Sequence, residues 1–109
     1  TELNGEVLSP KAVLPKAFAL SQNYPNPFNP STTIAYDIPE GADVNVRLNI
    51  YNMRGQLIRT LVNEVKSEGS YKVQWDGTDN YGRKVASGVY FYRITAGEFS
   101  KTRKMVILK

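Results

Sequence analysis

The sequence predicts an all-β fold, an antiparallel β-sandwich of about seven strands. Short segments of alternating apolar and polar residues recur at turn spacings of roughly ten residues, as sandwich strands do. No segment carries a convincing helical period. The densest run of β-branched and aromatic residues, Val85 to Ala96, has the composition of a half-buried pleated strand.

Taken in order, residues 1–16 have mixed composition, Pro10 and Pro15 and no clean period. They read as a linker from an upstream domain, with Val13 and Leu14 placed to dock on the core. The folded domain is residues 17–109. Ala17 to Leu20 alternates as a short first strand. Gln22 to Pro30 then carries Pro25, Pro27 and Pro30, which remove three amide donors and push the preceding residues toward extended geometry. The segment reads as a fixed extended loop with Tyr24 and Phe28 as apolar pegs. The other reading is a Pro-rich ligand for an aromatic groove. Thr32 to Ile38 alternates, with Ile34, Tyr36 and Ile38 on one face, and Pro39 to Ala42 is a turn. In Val44 to Tyr51, Val44, Val46, Leu48 and Ile50 face the core while Asn45, Arg47 and Asn49 face out. That strict alternation marks an antiparallel sheet with one wet face.

Asn52 to Gly55 is a turn, with Gly55 at a positive-φ position. Gln56 to Val62 is taken as extended, although Leu57, Ile58, Leu61 and Val62 also suit a helical turn. Ser67 to Ser70 turns again. Tyr71, Val73 and Trp75 then alternate with Lys72 and Gln74, and the single tryptophan is the natural filler between two sheets. Asp76 to Arg83 is a polar loop. Gly88 and Tyr90 are spaced as in a tyrosine corner, where the hydroxyl bonds upstream backbone. The alternative is a core aromatic with a solvated hydroxyl. Ala96 to Glu98 turns into the last strand, Phe99 to Leu108. Its two faces both become apolar near the end, so residues 105–108 are expected to be paired and covered.

Composition narrows function by exclusion. With 109 residues the chain is one domain. It has no cysteine, hence no disulfide or thiolate chemistry, and no histidine, the commonest general base and metal ligand. The net charge of +4 is scattered and suits solubility better than phosphate binding. No apolar run is long enough for a transmembrane helix, and no basic-then-apolar leader opens the chain. Thr1 in place of an initiator methionine suggests a piece of a longer protein.

Asp76, Thr78 and Asn80 imitate the first ligands of a calcium loop, but Tyr81 stands where the turn glycine belongs and no glutamate closes the pattern. No metal is expected there. Ser87 has no histidine to activate it. Glu40, Asp43, Asp76 and Asp79 have no spacing that selects an acid–base pair. No glycine-rich phosphate cradle exists, and no cofactor is expected. Lys101, Arg103, Lys104 and Lys109 make the last strand basic, which suits an edge strand guarded against aggregation. A nucleic-acid surface would need aromatics on the same exposed face, and only Phe99 offers itself.

Several blocks carry a family resemblance. Phe18 to Ile34, with its run Tyr24-Pro25-Asn26-Pro27-Phe28-Asn29-Pro30, resembles the opening of the C-terminal sorting domains of the type IX secretion system. Ile50 to Gly55, Trp75-Asp76-Gly77, Gly88 to Arg93 and Lys104 to Lys109 resemble its later blocks. The same blocks are similar to the immunoglobulin-like domain of flagellar hook-capping proteins. The resemblance spans residues 17–109 and implies an immunoglobulin-like sandwich. It also implies a non-catalytic, monomeric module that directs export of an upstream cargo through the outer-membrane secretion machinery. The product would be secreted or held at the cell surface after passing the periplasm. Candidate sorting residues are Gly88, Val89, Tyr90, Lys104, Met105, Val106, Ile107, Leu108 and Lys109. The structural motif residues are Tyr24 to Pro30 and Trp75. The alternative is a structural or carbohydrate-binding accessory module, for which exposed Tyr81, Phe91 and Tyr92 would be the platform. An enzyme is disfavoured by the missing histidine, cysteine and paired carboxylates.

Overall fold

The computed structural model describes residues 14–109 and, before them, only the backbone of two short strands. These are β1 (Glu2–Leu3) and β2 (Glu6–Val7), which pair antiparallel. The linker reading of residues 1–16 and the docking of Val13 fall mainly outside the described residues. Leu14 is half-buried, and the Pro15 carbonyl accepts a hydrogen bond from the Glu40 amide at 3.0 Å.

Five further strands make one antiparallel sheet: β3 (Ala19–Leu20), β4 (Thr32–Tyr51), β5 (Leu57–Trp75), β6 (Gly88–Ala96) and β7 (Phe99–Ile107). Each expected strand is present, Leu57 to Val62 among them, although Ala17, Phe18, Gln56 and Leu108 fall outside the strands. The count differs, because two pairs of expected strands are each one continuous strand. Thr32 to Ile38 and Val44 to Tyr51 are joined in β4, and Leu57 to Val62 and Tyr71 to Trp75 in β5. At the expected Pro39–Ala42 turn the ladder is interrupted by a bulge. Ile38 opposes Gly69 and Asp43 opposes Ser67, leaving four residues of β4 across from Glu68. Pro39 has no amide to keep the ladder going, Gly41 takes a φ of 85°, and the Glu68 carboxylate accepts the Gly41 amide at 2.9 Å.

The β4–β5 ladder folds over at this bulge, so its two halves become the two layers. The first half of β4 pairs with β3 and the end of β5; its second half pairs with the start of β5 and with β6. Trp75, opposite Thr32 at one end of the ladder, meets Tyr90 of β6 with ring centroids 5.8 Å apart. Between the layers Ile34, Tyr36 and Ile38 of one face Leu48, Ile50, Tyr92 and Ile94 of the other, all buried in one cluster. Trp75, Leu48 and Ile50 are fully buried and Tyr90 nearly so. A two-residue turn opened by Gly97, at a φ of 59°, joins β6 to β7.

Candidate functional site

The sequence blocks that carry the family resemblance converge at one end of the sandwich. The candidate residues Gly88, Val89 and Tyr90 of β6 lie directly opposite Ile107, Val106 and Met105 of β7. On the other side of β7 lies the proline segment. The Phe28 amide donates to the Val106 carbonyl at 3.0 Å, and the Leu108 amide donates to the Phe28 carbonyl at 3.1 Å. Asn26 Oδ1 accepts the Val106 amide at 2.9 Å, and Gln22 Nε2 donates to the Lys104 carbonyl at 2.7 Å. The outward backbone groups of Lys104, Val106 and Leu108 are therefore capped by side chains and backbone of residues 22–28, which blunts the sheet edge. The Tyr24–Pro25, Asn26–Pro27 and Asn29–Pro30 peptides are cis.

Beneath this junction the aromatic core is continuous. The Phe28 ring lies 5.6 Å from Trp75, which lies 5.8 Å from Tyr90. Trp75 Nε1 donates to the Thr78 carbonyl at 2.8 Å, so the buried indole is satisfied by the loop that follows it. Gly77, at a φ of 77°, passes so close to β7 that a Cβ there would sit 3.2 Å from Ile107 Cδ1. Tyr90 Oη donates to the Ala86 carbonyl at 2.8 Å, which is the tyrosine-corner bond. Burial holds the Tyr90 hydroxyl pKa above its ordinary value.

Several expectations about side chains need correction. Phe28 is a buried peg, but Tyr24 is 80% exposed, because the chain at Tyr24 pairs with Thr33 at the sheet margin and turns its ring outward. Residues 105–108 are not uniformly covered. Met105 and Ile107 are buried, Val106 is half-buried, and Leu108 is 55% exposed because it follows the last residue of β7 on the outward face. Lys104 and Lys109 are exposed as expected. Lys109 is nonetheless tied down: its amide donates to Ser87 Oγ at 3.1 Å and its Nζ donates to the Val85 carbonyl. The carbohydrate platform does not assemble. Tyr92 is fully buried and Phe91 half-buried, leaving Tyr81 alone exposed, with the Arg83 guanidinium over its ring.

A polar knot was not anticipated. Buried Asn23 donates through its amide nitrogen to Tyr92 Oη at 2.8 Å and through Nδ2 to Thr32 Oγ1 at 3.0 Å. Tyr92 Oη in turn donates to the Ser21 carbonyl at 2.7 Å. Desolvation raises the Tyr92 pKa, against the opposing pull of the Asn23 bond and the Arg103 charge. The knot holds the start of the proline segment on β6. Its only signal in the sequence was an asparagine preceding the Tyr-Pro pair.

The 76–83 loop spends its carboxylates on itself. Asp76 Oδ1 accepts from the Thr78 hydroxyl and, at 3.2 Å, from its amide. Asp79 Oδ1 accepts the Tyr81 and Arg83 amides, both at 2.9 Å, and Oδ2 meets Arg83 Nε at 2.9 Å. The Thr78 bond holds the Asp76 carboxyl below its usual range, and the Arg83 amide does the same for Asp79. No group of three or more Asp or Glu close enough to hold a metal occurs among the described residues.

Residues 27–99 match the FlgD Ig-like domain, most of the described chain. The chain belongs to the FlgD Ig-like domain family. No curated protein matches it. Among solved structures, the fold is similar to a part of dimeric latent PorU from Porphyromonas gingivalis. That match has 24% identity and a TM-score of 0.69, covering 89% of this chain and 10% of that one. It is also similar to a part of PorZ from the same organism, described as an essential bacterial surface component of the type-IX secretion system. There the identity is 22% and the TM-score 0.56, covering 84% of this chain and 11% of that one. The chain thus corresponds to about a tenth of either protein's length. No helix among the described residues is long and apolar enough to cross a membrane.

Proposed function

We propose that this Ig-like domain is a non-catalytic sorting module that directs an attached cargo through the type IX secretion machinery to the cell surface or medium. The observation that carries the reading is the junction of the Gly88–Tyr90, Lys104–Lys109 and proline blocks. Residues far apart in the sequence, in blocks that resemble those of sorting domains, form one surface-proximal unit. The fold shared with a part of PorZ, a component of that system, supports it. In this reading the core side chains of the last strand hold it in the sheet. The exposed Lys104, Leu108 and Lys109 are what a receptor can touch.

The test fuses a reporter ahead of the chain in a bacterium that has this system. The fusion is expected in the medium or on the cell surface, and a variant lacking residues 104–109 in the periplasm. Equal export without those residues, or no export with them, overturns the reading.

A further inference from the structure

The outward face of the β4–β6–β7 layer has a charge pattern that its fold does not explain. Its cross-strand rows are Arg47–Thr95–Ser100, Asn49–Arg93–Thr102 and Tyr51–Phe91–Lys104, followed by the pair Val89–Val106. No residue in these rows is acidic, while Arg47, Arg93 and Lys104 are exposed cations. The four ion pairs among the described residues involve Glu40, Glu64, Asp76 and Asp79, so none neutralises these three. The half-buried rings of Tyr51 and Phe91 share the row of Lys104, with Met53 71% exposed beside them, and the half-buried Val89 and Val106 lie just beyond it. Asn49 Oδ1 is shielded from solvent and meets no donor among the described residues.

We infer that this face docks an extended acidic segment of a partner protein, with apolar residues between its carboxylates. Charge complementarity selects the partner. A second copy meeting this face by its own would set the same three cations against each other. A bilayer is a weaker occupant, because basic patches that hold anionic lipid use clusters of four to eight cations. In an extended segment, side chains on one face recur about every 6.8 Å, the same repeat as the outward residues of β6. A carboxylate at Arg93 therefore places the next residue on that face over Phe91. Binding of such a segment by the purified chain does not depend on the export reading.

The test is fluorescence anisotropy of the full chain with a labelled peptide of about twelve residues alternating glutamate and leucine. Binding is expected, weakened at least about tenfold on raising salt from about 50 to about 500 mM. Arg93→Glu and Lys104→Glu together should weaken it by a similar factor, with the melting temperature held within about 2 °C. Lys72→Glu, exposed on the other layer, should leave it unchanged. The proposal is overturned by no binding, or by equal binding of a glutamine–leucine peptide. It is also overturned by unchanged affinity in the Arg93/Lys104 variant, or by binding to phosphatidylglycerol vesicles but not to the peptide.

Discussion

Phe28 and Tyr24 sit four positions apart in the same proline-rich run, and the fold uses them in opposite ways. Phe28 is 2% exposed, its ring tilted against Trp75, and its backbone bridges β7. Phe28→Ala therefore opens a cavity beside the tryptophan and is expected to cost about 3–5 kcal/mol. Tyr24→Ala removes a ring that stands in solvent and should cost under about 0.5 kcal/mol. Chemical denaturation of the two variants checks the contrast, and comparable losses would refute it. Composition could identify the segment as irregular and aromatic-anchored. It could not choose between the two rings, because no alternation survives through three prolines to say which way a side chain turns. Asn23 was hidden for a related reason. Its burial depends on Tyr92 and Thr32 arriving from distant strands, and local sequence does not encode that meeting.

Among the elements, the strands were the most legible part. Period-two alternation placed Ile34, Tyr36, Ile38, Val46, Leu48 and Ile50 inward, and each is buried. Turn residues were read less well, since Pro39 to Ala42 and Ser67 to Ser70 mark a bulge over which a continuous ladder folds. The 76–83 loop gives the prediction at this scale. Its carboxylates Asp76 and Asp79 have pKa values below the ordinary range, because they accept hydrogen bonds from Thr78 and from Arg83 and Tyr81. The unfolded chain thus binds protons at a higher pH than the folded one. The stabilisation is complete above the unfolded carboxylate value of about 3.9 and is lost as pH falls below it toward the depressed folded values. The melting temperature should be steady from neutral pH to about pH 5 and fall below about pH 4. Asp79→Asn should make that fall shallower. An Asp79→Asn profile parallel to the parent would show that the loop's hydrogen bonds do not contribute.

For the whole molecule, the last strand serves fold and candidate site at once, and this decides how any sorting experiment must be built. Met105 and Ile107 belong to the core, Val106 holds Phe28 and Asn26, and Ile107 lies against Gly77. Removing residues 104–109 therefore deletes two core side chains and uncaps the proline segment together. The shortened domain is expected to lose cooperative unfolding or to melt far below the parent. An export failure on deletion alone would then be consistent with simple misfolding. Lys104→Ala with Leu108→Ala separates the two, because both side chains are exposed and surface changes of this kind cost under about 0.5 kcal/mol each. Lys109→Ala is less clean, since its Nζ bonds the Val85 carbonyl. The Lys104/Leu108 variant is expected to melt within a few degrees of the parent, roughly 2–5 °C, and to be exported poorly. A variant that melts like the parent and is exported like the parent would leave the last strand a structural element only.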